Sequence, residues 1–156
     1  AWNDESNLGY LYVELPWRVA LSMAEVSPLR EAGQSGRTVE LSRLTLMRDE
    51  QGADPHGAPI AHYTVEMTPE AGWEVELQRW YDTEHLPGLA RVPGCVRARR
   101  FWNRDAGPRS IACYDLLDAS VMGSREWLAV RQTAWSSRAR PHFTETVRTM
   151  FTVAAA

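Results

Sequence analysis

Arg79-Trp80-Tyr81-Asp82-Thr83-Glu84-His85-Leu86-Pro87, followed after three residues by Arg91-Val92-Pro93-Gly94-Cys95-Val96-Arg97-Ala98-Arg99-Arg100-Phe101, is the stretch on which the fold turns. It reads as a helix, a turn and a strand. Pro87 is expected to stop the helix at about Leu86. Pro93-Gly94 makes the turn. Tyr81, Asp82, Glu84 and His85 put four groups able to hold or move protons at the helix end, so this is where chemistry is expected.

Upstream, residues 60–67 alternate as a strand does, with Ile60, His62, Thr64 and Glu66 on one face and Ala61, Tyr63, Val65 and Met67 on the other. Thr68-Pro69 suits a helix start, with Thr as N-cap and Pro at the first helical position. Trp73, Leu77, Trp80 and Tyr81 form that helix's apolar stripe. Downstream, residues 95–102 and 110–117 read as a hairpin across Asp105-Ala106-Gly107-Pro108. Ser124 caps a second helix to about Thr133, and residues 145–153 read as a last strand. The order is β-α-β-β-α-β, a ferredoxin-like unit of class α+β, assigned to residues 60–156.

The first half carries a faint internal repeat. At an offset of 101, Glu14 meets Asp115, Leu15 meets Leu116, Glu25 meets Glu126, Arg30 meets Arg131, Ser35 meets Ser136 and Arg37 meets Arg138. At 100, Trp2-Asn3 meets Trp102-Asn103. Residues 1–50 are thus expected to form a partial unit, with strands at 10–15 and 39–47 around a helix at 22–32. The early elements of that unit have no counterpart. Residues 51–59, rich in Gly, Pro and Ala, are the expected linker.

With 156 residues, 44% hydrophobic, 24% charged and a net charge of −3, composition is that of a globular chain. It gives no reason to expect nucleic acid or a membrane as partner. No apolar run approaches the roughly 20 residues of a membrane helix. Cys95 and Cys113 fall on neighbouring expected strands and are read as reduced core thiols, which favours a cytoplasmic setting. No phosphate loop, metal-ligand pair or nucleophile elbow is present, so neither metal nor cofactor is expected.

On an ideal helix with Trp73 at zero, Glu84 falls at about 20°, inside the stripe, and His85 at about 120°, at its edge. A carboxylate there requires a partner or a raised pKa. Two readings stand. Glu84 and His85 tie the helix end to the Arg97, Arg99 and Arg100 strand, or they form an acid/base pair. On the sheet's other face, His62, Thr64, Glu66, Arg97 and Arg99 suit either a polar small molecule or a buried ion-pair network. Trp80 either packs helix on sheet or walls a ligand cavity.

The Trp-Tyr-Asp-x-Glu-His-Leu-Pro helix, Pro-Gly turn and Arg-Arg-Phe strand resemble the dimeric α+β barrel superfamily over residues 60–153. That superfamily includes EthD-like proteins, antibiotic-biosynthesis monooxygenases, muconolactone isomerases and small polyketide cyclases. The resemblance implies a homodimer or larger assembly. It also implies a cofactor-independent enzyme of isomerase, cyclase or lyase type acting on a small organic substrate. His85 would be the acid/base, with Glu84 or Asp82 orienting it and Tyr81 donating to a developing oxyanion. His62 is the alternative base, and His62, Arg97, Arg99 and Trp80 are candidate substrate contacts. A cofactor-free monooxygenase and a non-catalytic small-molecule-binding or accessory protein are the alternatives.

Overall fold

Residues 61–69 alternate between two buried surfaces, which places them at the centre of a sheet. In the computed structural model, which describes residues 1–15, 22 and 40–154, they form β4, Ala61–Pro69. The other strands are β1 (Trp2–Asn3), β2 (Leu8–Gly9), β3 (Leu44–Gln51), β5 (Cys95–Asn103), β6 (Ser110–Leu116) and β7 (Phe143–Thr152). All belong to one sheet of order β2-β1-β7-β4-β6-β5-β3. Every pairing is antiparallel.

Helical segments cover one face: α1 (Glu74–Trp80), a π turn (Tyr81–His85), α2 (Leu86–Ala90), α3 (Arg125–Arg131) and α4 (Ala134–Ala139). Tyr63 pairs with Tyr114 on β6, and both point to this face with Met67 and Ala98. Leu77, Trp80, Tyr81, Leu86, Leu89 and Trp127 come down on them and are almost wholly removed from solvent. Burying each such side chain stabilises the fold by about 1.5–3 kcal/mol.

Several elements depart from their expected bounds. The helix does not start at Thr68-Pro69, because both residues are still paired with β7, at Thr144 and Phe143. The chain turns instead at Gly72, whose φ of 87° suits glycine, and the Glu74 carboxylate accepts from the Gly72 N–H at 2.9 Å. Nor does Pro87 end the helix. Ahead of it the turn widens, so that the Leu86 N–H reaches back five residues to the Tyr81 carbonyl. Helix then continues through Pro87, whose missing N–H falls where the bonding pattern is already shifted. Ser124 does cap α3, accepting from the Trp127 N–H at 3.2 Å. Thr133 caps the unforeseen α4, accepting from the Ser136 N–H at 3.0 Å.

Residues 10–15 are not a strand. They lie across the sheet's other face, held by backbone bonds between Tyr10 and Ala1 and by the side chains of Tyr10, Tyr12 and Glu14. The expected helix at 22–32 falls outside the described residues, Ser22 apart. The strand placed at 39–47 is β3, which begins at Leu44 and edges the sheet beside β5. The stretch read as a linker is pinned to the start of β5: Gly52 and Asp54 donate backbone N–H groups to the Val96 and Cys95 carbonyls at 2.9 Å each. A Cβ on Gly52 would stand 2.0 Å from the Cys95 carbonyl oxygen, so only glycine fits.

Candidate functional site

The π turn decides which side chains meet. In an α-helix, residues five apart point about 140° away from each other. In the wider turn, His85 comes back over Trp80, and the rings stack with centroids 4.1 Å apart. Tyr81 meets the His85 ring edge-on at 5.4 Å. Tyr81, Trp80 and His85 line one cleft between the helices and the sheet, with Tyr63, Tyr114, Trp127 and Phe143 as further walls. The enclosed space is narrow, about 30 Å³, room for one or two waters.

Polar atoms in these walls are left over. His85 Nδ1, the Tyr114 hydroxyl and Trp127 Nε1 are enclosed without a hydrogen-bond partner. Such groups are costly unless something satisfies them. Burial, with help from Arg140 and Arg131, pushes the His85 pKa down to about 3, so its imidazole is neutral near pH 7. Burial pushes the Tyr81 phenol up to about 12, which keeps it a donor. The Arg100 guanidinium sits 4.4 Å over the Tyr81 ring.

Arg131, Arg140 and Arg148 line the same cleft, and among the described residues no carboxylate does. They come from α3, the 3₁₀ turn Arg140–His142 and β7. Arg148 is paired in register with Val65, which puts it on the helix side of the sheet. Trp127, like Trp80, is one of the helix tryptophans that the sequence offers as packing or as a cavity wall, whereas Tyr114 and these arginines were missed from the sequence. Tyr114 alone was within reach there, by alternation along β6.

Glu84 is not in the cleft. Its Oε1 accepts from the Thr133 hydroxyl at 2.7 Å and from Trp80 Nε1 at 3.2 Å, tying the helix to the cap of α4. The wider turn moves His85 into the stripe and Glu84 to its edge, the reverse of the straight-helix projection. Asp82 is half-buried with Oδ1 unpartnered, and its charge counters that of the buried Arg100.

His62, Arg97 and Arg99 lie on the opposite face, away from this cleft. His62 is buried between two partners. Its Nδ1 meets Asp115 Oδ1 at 2.6 Å, and its Nε2 meets the Tyr12 hydroxyl at 3.1 Å. Arg99 reaches Asp115 at 3.1 Å and Glu14 at 3.0 Å, and Arg97 pairs with Asp49 at 2.5 Å. Burial opposes the charge on Asp115, but His62 and Arg99 outweigh it and hold its pKa below the usual range. The Tyr10 hydroxyl bonds Glu66 beside them. These contacts form an ion-pair and hydrogen-bond network under residues 10–15. Cys95 and Cys113 are free and buried on opposite faces.

No family model matches the chain, and no curated protein matches it. Among solved structures it is similar to a major regulator of staphylococcal pathogenesis, at 11% identity and a TM-score of 0.49 over 76% of this chain and 73% of that one. It is also similar to a presumptive monooxygenase from Lactobacillus acidophilus NCFM, at 9% identity and a TM-score of 0.43. That match covers 72% of this chain and 49% of the other, about half its length. Likenesses this distant say nothing of the chemistry.

Proposed function

We propose that the chain is a small-molecule enzyme of the ferredoxin-like, dimeric α+β barrel type, using the helix-side cleft for proton transfer without a cofactor. In support, β7-β4-β6-β5 of the observed sheet has the arrangement of a β-α-β-β-α-β unit. The observation that carries the chemistry is His85: a neutral imidazole with an unpartnered nitrogen, fixed by stacking on Trp80 at the wall of a cleft. In the reaction, the imidazole takes a proton from carbon next to a substrate carbonyl. The C–H electron pair becomes a carbon–carbon π bond while the carbonyl π pair moves to its oxygen, and the Tyr81 and Tyr114 phenols are the donors for the resulting enolate. With a β,γ-unsaturated carbonyl substrate the imidazolium returns its proton to the γ-carbon of the dienolate, and the sum is a double-bond isomerisation; return to the original carbon gives exchange alone. A base with a pKa of about 3 is weak. Negative charge arriving on the substrate raises it toward the working range.

The test is deuterium incorporation from heavy water into a panel of small enolisable carbonyl compounds, followed by proton NMR. Wild type should exchange at least one of them, and His85→Asn should lose at least about a hundredfold in rate while circular dichroism shows the fold retained. Equal exchange by both proteins would remove His85 from the mechanism. Oxygen uptake without exchange would replace proton transfer with oxygenation in the same cleft.

A further inference from the structure

We propose that Arg131, Arg140 and Arg148 make the helix-side cleft a binding site for a small aromatic carboxylate. This inference names the ligand class for the site that the previous section reads as catalytic, and it rests on that reading only for the site's chemistry.

Three arginines from three separate elements line one cleft, near enough that Arg131 and Arg148 both act on the charge of Arg140. None has a carboxylate partner among the described residues, whereas other arginines do: Arg43, Arg48, Arg97, Arg99 and Arg138 are all ion-paired. Like charges gathered this way repel one another, and at Arg140 partial burial adds to the cost. Arg140 shows the strain, its pKa lowered by burial and then by Arg131 and Arg148. An anion between them removes the repulsion. Guanidinium groups take planar oxyanions through paired N–H donors, which favours carboxylate over a point-charge contact.

The second half of the ligand is set by the walls. Trp80, Tyr81, Tyr63, Trp127 and Phe143 present rings, and aromatic faces pack flat or edge-on against an aromatic body. The unpartnered Tyr114 hydroxyl and Trp127 Nε1 belong to the same walls and are donors. Two acceptor oxygens on one carbon therefore suit the site, provided Phe143 and the arginine side chains shift to widen the narrow space.

Isothermal titration of the full chain tests this with four probes: benzoate, its neutral isostere benzamide, cyclohexanecarboxylate and inorganic phosphate. Benzoate should bind, with benzamide and cyclohexanecarboxylate each at least about tenfold weaker. Arg148→Gln and Arg140→Gln should each weaken benzoate by about tenfold or more. Arg148→Lys should recover only part of that, because it keeps the charge and loses the fork. Circular dichroism confirms that each variant is folded. Arg148 is exposed, so its substitution leaves the core intact. Absence of benzoate binding, benzamide binding as tightly, or indifference to both glutamine variants would overturn the proposal. Phosphate binding as tightly as benzoate would overturn its aromatic part. A chain that binds benzoate but exchanges no deuterium keeps this site and loses the His85 chemistry. One that exchanges neutral ketones but ignores benzoate does the reverse.

Discussion

His85 lies flat on Trp80, with 22° between the ring planes, although five positions separate them in the chain. That stack removes the imidazole from water and leaves it next to Arg140 and Arg131, which is why its pKa falls to about 3. The unfolded chain takes up this proton near pH 6.5 and the folded chain does not. Between pH 6.5 and 3 the unfolded state therefore binds more protons. The contribution is complete above the unfolded value and is lost as pH falls through this window, by up to about 1.4 kcal/mol per pH unit. Urea unfolding at pH 7.0, 6.0 and 5.0 should show a slope that His85→Asn flattens. Equal slopes in both proteins would mean that the ring is solvated.

Glu84 is expected to act on stability. Glu84→Ala strands the Thr133 hydroxyl and the Trp80 N–H together, at a cost of about 1–3 kcal/mol. Thr133→Val also removes the cap of α4, worth about 1 kcal/mol. In a double-mutant cycle by chemical denaturation the two should couple by at least about 0.5 kcal/mol. Additive effects would show that the bond is not formed in solution.

Asp115 should govern the acid limb from the other face. Its pKa is held down by His62 and Arg99. Its contribution is full above the unfolded value of about 3.9 and is lost as pH falls through the lower folded value. Asp115→Asn should cost about 2–3 kcal/mol at pH 7 and make stability below pH 4 less dependent on pH. Tyr12→Phe removes the phenol's bonds to His62 and to the Cys113 thiol and should cost about 1 kcal/mol. Denaturation curves across pH check both.

Cys95 and Cys113 should resist alkylation in the native protein. Both are almost wholly buried, and burial raises each thiol to about 12, so thiolate is scarce at pH 8. Mass spectrometry after iodoacetamide should find neither modified until urea is added. Rapid native labelling of either would show that its face opens.

Much of this was legible in the chain. The two-residue alternation of 61–67 sorts Tyr63 and Met67 from His62 and Glu66, and the structure keeps that sorting. The hairpin after Cys95 is signalled by Gly107, with φ of 92°. What failed was local bookkeeping of period. A single 3.6-residue repeat run through residue 85 centres Glu84 and sidelines His85, because a π turn leaves no composition of its own. The cleft's arginines were hidden for another reason. Arg131, Arg140 and Arg148 are scattered in sequence and converge only once the pairing of β7 with β4 places Arg148 and the packing of the helical segments on the sheet places the other two. The role of 10–15 was likewise out of reach, since past the backbone bonds of Tyr10 to Ala1 this stretch meets the sheet through the side chains of Tyr10, Tyr12 and Glu14.

The π turn also carries a consequence for how this chain could vary in length. Continued as one α-helix from Leu77, residues Leu86, Leu89 and Ala90 would fall at about 180°, 120° and 220° from it and point away from the sheet, and one extra residue turns them back by about 100°. The extra residue brings both stripes onto the same core, where all four are buried. Deleting one position between Tyr81 and His85 would let an ordinary helix join the same two stripes, with Trp80 and His85 four apart and still neighbours. Adding one position would throw the second stripe off the sheet. In an alignment of homologues, a one-residue gap here should be common and an insertion rare.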